Sequence, residues 1–100
     1  MKTYIYVLRL TERLYDDSAW TASDEAIVNE HFNRLKEDRD RGIVQLAGRT
    51  EKTDGTGFGI VIFRAEDQEA AAVYMMDDPA VSAGIMTAEL HGFRTAFYGR

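Results

Sequence analysis

One long amphipathic segment, from about Ser23 to Arg41, separates two strand-like runs, and this order most constrains what the chain can fold into. Successive helical residues turn by about 100°. On that spacing Ile27, Val28, His31, Phe32 and Leu35 fall within one arc, while Asn29, Glu30, Asn33, Arg34, Lys36 and Glu37 take the other side. Such a stripe predicts a helix lying on a core. Thr21 with Asp24, or Ser23 just after it, supplies the start signal, and Gly42 permits a left-handed stop. Before the helix, Tyr4 to Leu10 is rich in aromatic and β-branched residues and reads as a strand. After it, Ile43 to Arg49 reads as a second strand and Phe58 to Phe63 as a third. The Asp54-Gly55 pair between them is a hairpin signal. Thr11 to Ala22 reads as a polar loop.

The second half repeats the alternation. Ala65-Glu66-Asp67 caps a second helix, Gln68 to Met76, whose Ala70, Val73 and Tyr74 are predicted to face the sheet. Asp77-Asp78-Pro79 ends it, because the residue before proline is pushed out of the helical region. Ala80 to Gly84 reads as a short turn or helix. Met86 to Tyr98 reads as a long final strand, with Gly92 as a bulge or bend. The order β-α-β-β-α-β is the ferredoxin-like, split βαβ arrangement. The expected fold is therefore α+β: an antiparallel four-stranded sheet with two helices on one face, in a single domain spanning residues 1–100. The other sheet face is left bare. A face-to-face homodimer, closing two sheets into a dimeric α+β barrel, would cover it.

Composition narrows the function classes. The formal charge of −5 argues against nucleic acid, which needs a basic surface. Arg34, Lys36, Arg39 and Arg41 are interleaved with Glu37, Asp38 and Asp40, as on a solvated helix face. With no cysteine, thiol catalysis, disulfides and zinc–thiolate sites are excluded. The two histidines, His31 and His91, are too far apart in sequence for a local metal motif, so neither metal nor cofactor is expected. The Asp54–Gly57 glycines lead into a strand, whereas a phosphate loop leads into a helix. No run is long enough to span a membrane, and the N-terminal run lacks the features of a signal peptide. The expected location is cytoplasmic.

His31 is the residue most in need of an explanation. Imidazole titrates near neutrality, so in an apolar stripe it is either a poised acid/base or a structural histidine with a hydrogen-bond partner. Arg49, at the end of the second strand, is either a bidentate anion binder or a solvent-exposed terminus. Trp20 and Tyr15 either form an aromatic lid over a planar substrate or pin a long loop. Met75, Met76 and Met86 read as adaptable core or pocket lining. His91 reads as an interface or surface histidine.

The run Glu30-His31-Phe32-Asn33-Arg34-Leu35, then Gly42-Ile43-Val44, Leu46-Ala47-Gly48, Gly59 to Phe63, Glu69-Ala70-Ala71 and Asp78-Pro79-Ala80-Val81-Ser82-Ala83-Gly84-Ile85 resembles the YciI-like proteins of the YCII-related domain family. The resemblance spans roughly residues 24 to 97, and its most specific element is the DP-x-V-x-A-G-I run. It implies a dimeric α+β barrel and an active site pairing a histidine with an aspartate, here His31 and Asp78. One branch of the family is associated with dehydrochlorination of a chlorinated hydroxyhydroquinone, without an organic or metal cofactor. The polar segment Thr11–Ala22, which carries Trp20, departs from the family pattern.

A carboxylate at position 78 would accept the imidazole N–H, set its tautomer and raise its basicity. The alternative is that Asp78 merely caps the turn before Pro79. The leading expectation is thus a cofactor-independent enzyme of elimination or isomerisation type. Its substrate would be a small aromatic or enolisable molecule, with His31 as base/acid, Asp78 as orienter, and Arg49 and Trp20 binding substrate. The rivals are a non-catalytic small-molecule-binding or accessory dimer, with or without further pairing into tetramers, and a cofactor-free oxygenase on the same barrel.

Overall fold

Strand β1 (Lys2–Leu10) occupies a central position in a four-stranded sheet of order β2-β3-β1-β4. The computed structural model describes residues 1–99. The other strands are β2 (Val44–Arg49), β3 (Gly59–Ala65) and β4 (Met86–Gly92), and every neighbouring pair is antiparallel. Helices α1 (Ala22–Asp40), α2 (Gln68–Met76) and the single-turn α3 (Pro79–Ser82) supply the connections. This is the expected α+β, ferredoxin-like arrangement.

Alternation along β1 sets the two faces. Tyr4, Tyr6 and Leu8 are buried beneath the helices with Val61, Phe63 and Ala65 of β3. Tyr6 meets Phe63 edge-on at 5.5 Å between ring centroids, and Phe63 stacks on Tyr74 of α2 at 4.8 Å. These rings hold α2 against the sheet, each contact adding about 0.5–1.5 kcal/mol beyond burial. The intervening residues, Ile5 and Val7 of β1 with Ile60 and Ile62 of β3, lie on the opposite face, where no helix packs.

In β2 the alternation is interrupted. Val44 pairs with Phe63, but Leu46, not Gln45, pairs with Ile62, so a β-bulge lies between Val44 and Leu46. From there Ala47 pairs with Val61 and Arg49 with Gly59. Gly57 closes the hairpin. A Cβ there would lie 2.0 Å from the Lys52 carbonyl oxygen, so no larger residue fits without moving the loop.

The start of α1 is a complete capping box. The Thr21 hydroxyl accepts from the Asp24 N–H at 3.1 Å, and the Asp24 carboxylate accepts from the Thr21 N–H at 2.9 Å. Replacing Thr21 with alanine is expected to cost about 1 kcal/mol in chemical denaturation. Asp24 also receives two bonds from Arg13, both 2.9 Å, which hold its carboxyl below the usual carboxylate range.

Several expectations need correction. The segment after β1 contains two short 3-10 turns, Glu12–Tyr15 and Asp17–Ala19, and not only loop. The last strand stops at Gly92, which faces Tyr4. One further bond follows, from the Phe93 N–H to the Thr3 oxygen. Residues beyond it reach the other edge of the sheet, where the Tyr98 hydroxyl pairs with the Gln45 side-chain amide. On α1, Phe32 is 66% exposed, and the buried positions are Asp24, His31, Leu35 and Asp38. On α2, Ala71 and Met75 are buried with Tyr74 beside them, while Ala70 and Val73 face out. Met76 is likewise exposed, not core.

Candidate functional site

Asp78 is placed by local chain chemistry before any tertiary contact is counted. It precedes Pro79, which forces extended backbone, and it is found at φ −60°, ψ 125°. That conformation suits an N-cap. Its Oδ1 accepts from the Ala80 N–H at 2.9 Å and starts α3, with Pro79 in the first turn. The side chain is completely buried. A buried carboxylate demands partners, and it has three. Besides Ala80, the Tyr6 hydroxyl donates to Oδ2 at 2.7 Å. His31 Nδ1 lies 2.7 and 2.8 Å from Oδ1 and Oδ2. The helix-one histidine and the distant aspartate therefore meet.

The electrostatics follow from this geometry. Burial alone would push the Asp78 carboxyl up. The hydrogen bond and charge of His31, with Tyr6 and the Ala80 N–H, outweigh it and hold Asp78 below the ordinary carboxylate value. Burial first, and the neighbouring Asp78 second, push the Tyr6 phenol far above its usual range, so it stays a neutral donor. An ionised Asp78 accepts from His31, which places the imidazole proton on Nδ1. Nε2 is then the free lone pair. It has no partner among the described residues, and the one polar side-chain atom both sealed and unpartnered there is Arg34 Nη1. Nε2 is thus open to the exterior.

It opens into a cleft of about 730 Å³ between α1 and the β2–β3 hairpin. The walls include Val28, His31, Phe32 and Leu35 from α1, and Ala47 and Arg49 from β2. Phe32, misplaced by helical spacing alone, is a cleft wall. Trp20 also lines this space while its indole N–H donates to the Leu14 oxygen at 3.1 Å, so it pins the loop and borders the cleft at once. Arg49 spends one donor on the Thr50 carbonyl, at 3.1 Å, and is otherwise exposed. Tyr15 lies away from the cleft lining, against Gly55. His91, opposite Ile5 on the bare face, contacts Glu89 at 2.6 Å. Among the described residues no three His, Asp or Glu side chains gather to hold a metal ion. Among the same residues no helix is long and apolar enough to cross a membrane.

Tyr6 is the member of the site that residue patterns missed. Its signal was present: it lies in phase with Tyr4 and Leu8 on the buried face, and a buried phenol needs an acceptor. Replacing Tyr6 with phenylalanine removes a bond to a charged group and is expected to cost about 1.5–3 kcal/mol by denaturant titration.

A second polar group sits further along α1. The Tyr74 hydroxyl donates to Asp38 Oδ2 at 2.6 Å, and Arg34 lies over the Tyr74 ring, 4.0 Å from its centroid, while donating to the Tyr74 backbone carbonyl. It ties α1, which carries His31, to α2, which ends just before Asp78.

No curated protein sequence matches the chain significantly. A solved structure of 5-chloro-2-hydroxyhydroquinone dehydrochlorinase from Burkholderia phenoliruptrix AC1100, in complex with 2,5-dihydroxybenzoquinone, is similar in fold. Its TM-score is 0.52 at 16% identity, over 90% of this chain and 93% of that one. The model of the YCII-related domain matches residues 6–90, a span that includes Tyr6, His31 and Asp78. The chain belongs to the YCII-related domain family.

Proposed function

We propose that this protein is a cofactor-independent acid/base enzyme acting on a small aromatic or enolisable molecule, by elimination or isomerisation. The observation that carries this reading is His31, bound through Nδ1 to a buried carboxylate and presenting Nε2 to a cleft. In that state Nε2 takes a proton from an acidic C–H or O–H of the substrate. The resulting imidazolium is stabilised by Asp78, whose orientation Tyr6 and the Ala80 N–H maintain. The same proton then returns to another substrate atom, giving isomerisation, or to a departing group, giving elimination. Arg49 and Trp20 bind substrate from the opposite wall and from the loop. The similarly folded dehydrochlorinase, solved with a dihydroxybenzoquinone, fits such chemistry.

Exchange of substrate hydrogen in D2O tests this directly. Acidic phenols, quinols and cyclic enols are incubated with the protein and followed by proton NMR. At least one is expected to exchange or react faster with the wild type than with a His31→Gln variant. Identical rates throughout the panel, together with binding, would make the protein a ligand-holding module.

The bare face of the sheet suits a second copy of the chain. Ile5, Val7, Ile60, Ile62 and Leu46 lie on it without a helix above them. Sedimentation is expected to give about twice the 11.3 kDa chain mass. Ile62→Lys is expected to shift the equilibrium toward monomer, since a charge buried there has no partner.

A further inference from the structure

The charges around the cleft run against those of the whole chain. Asp and Glu outnumber Lys and Arg by 17 to 12 over the sequence. Along the cleft the balance reverses: Lys36, Arg39, Arg49 and Lys52 line it, against Asp54 alone. These cations are not equally free. Arg39 is held by Asp40 at 2.8 Å. The Asp54 carboxyl is held below its ordinary value chiefly by the Thr56 hydroxyl and N–H that it accepts, and Lys52 lies close enough to add to this. Lys36 and Arg49 have no carboxylate partner among the described residues.

Topology brings Arg49 level with His31. β1 and β2 are both antiparallel to β3, so α1, which joins them, runs opposite to β2. Counting back nine residues from Asp40 to His31 covers about 13.5 Å of helix, and five residues forward from Val44 to Arg49 cover about 16 Å of strand. The bulge puts Arg49 on the helix-facing side of β2, in register with Gly59. Lys36 lies about 7.5 Å further along α1 from His31, near Phe32 on the same cleft wall. Between these cations the walls are apolar, from Phe32, Leu35, Ala47 and Val61.

We propose that the cleft selects a small planar organic anion, a carboxylate or acidic enolate on an aromatic-sized body. Arg49 and Lys36 hold its charged oxygens, and its ring lies beside His31. This rests on the acid/base reading of the same site and adds the substrate's charge to it. A guanidinium presents a fork to a carboxylate or a pair of vicinal oxygens, and Lys36 adds a movable point charge. An anionic substrate also suits the chemistry. Charge that builds up as Nε2 removes a proton is shared with oxygens already facing cations.

Benzoate and benzamide have nearly the same shape and differ in charge. Each is titrated at low salt into isotopically labelled protein, following the His31 ring signals and the amides of β2. Benzoate is expected to bind at least about tenfold more tightly than benzamide, and added salt should narrow the ratio. In an Arg49→Gln/Lys36→Gln double variant, whose substitutions are at exposed positions, the ratio should fall to near unity. Equal affinities in the wild type, a ratio unchanged in the double variant, or no response at the cleft to either probe at millimolar concentration overturns the proposal. These readouts require no turnover. Anion selectivity without any His31-dependent exchange would sink the acid/base reading alone. His31-dependent exchange of neutral substrates with no anion selectivity would sink this proposal alone.

Discussion

Replacing His31 with glutamine is expected to lower turnover by about 10²–10⁴-fold while leaving the protein folded, the usual contribution of a positioned proton-transfer group. Glutamine is a suitable probe because its amide N–H still reaches for Asp78, so the buried carboxylate keeps a donor where Nδ1 stood. What disappears is the basic lone pair facing the cleft. The measurement is kcat and kcat/KM on a substrate found by exchange, alongside a denaturant melt. Turnover at the wild-type rate with an unchanged melt would remove His31 from the chemistry. If the step lost is proton transfer, kcat and kcat/KM should fall together, because the interaction is made only in the transition state.

The largest stability effect belongs to Asp78. In Asp78→Ala, the Tyr6 hydroxyl, the Ala80 N–H and the His31 N–H all lose an acceptor inside a site that water does not reach. Breaking a buried pair of this kind costs about 3–5 kcal/mol. At about 4–8 °C per kcal/mol for a chain of this size, the melting temperature should drop by tens of degrees. Asp78→Asn keeps an acceptor oxygen and should lose less. It also allows a check on sign. The folded Asp78 carboxyl lies below its ordinary value of 3.8, so it adds stability above that pH and loses the contribution as pH falls through the folded value. Wild-type protein should therefore show an acid limb, read by melting temperature against pH, that is shallower in Asp78→Asn. Equal limbs would mean that the carboxylate charge is not what the network holds.

The residue pattern carried the fold a long way because local signals agreed with one another. The Thr21–Asp24 capping box, the Gly42 stop, the Asp67 cap and the Asp78-Pro79 break each act through backbone chemistry within a few residues, and each appears where expected. Errors gathered where the deciding contact was distant. The nine residues of α2 include three alanines in a row and few polar groups, so their apolar positions do not choose a face; the Phe63–Tyr74 stack does. Phe32 matched the apolar stripe but sits at the edge of the contact with the sheet, where the core gives way to the cleft. Asp78 was readable as a cap from its neighbours, and as a partner of His31 only through the family resemblance, because 47 residues separate the pair. Tyr6 was hidden among strand residues that looked purely apolar in role.

The extra residue in β2 carries more weight than its size suggests. With strict two-residue alternation from Val44, Leu46 and Gly48 would face the helices, and Ala47 and Arg49 would point to the bare side. The inserted position reverses the parity of everything after it. A guanidinium that belongs to the bare side by counting is delivered to the cleft instead, and Leu46 goes to the bare face. One backbone irregularity thus assigns residues to two compartments together. Deleting the extra residue, Gln45, would leave both assignments in place, because Leu46 would then follow Val44 directly; flattening the bulge with that residue kept would swap them, moving charge to the bare face and a leucine into the cleft.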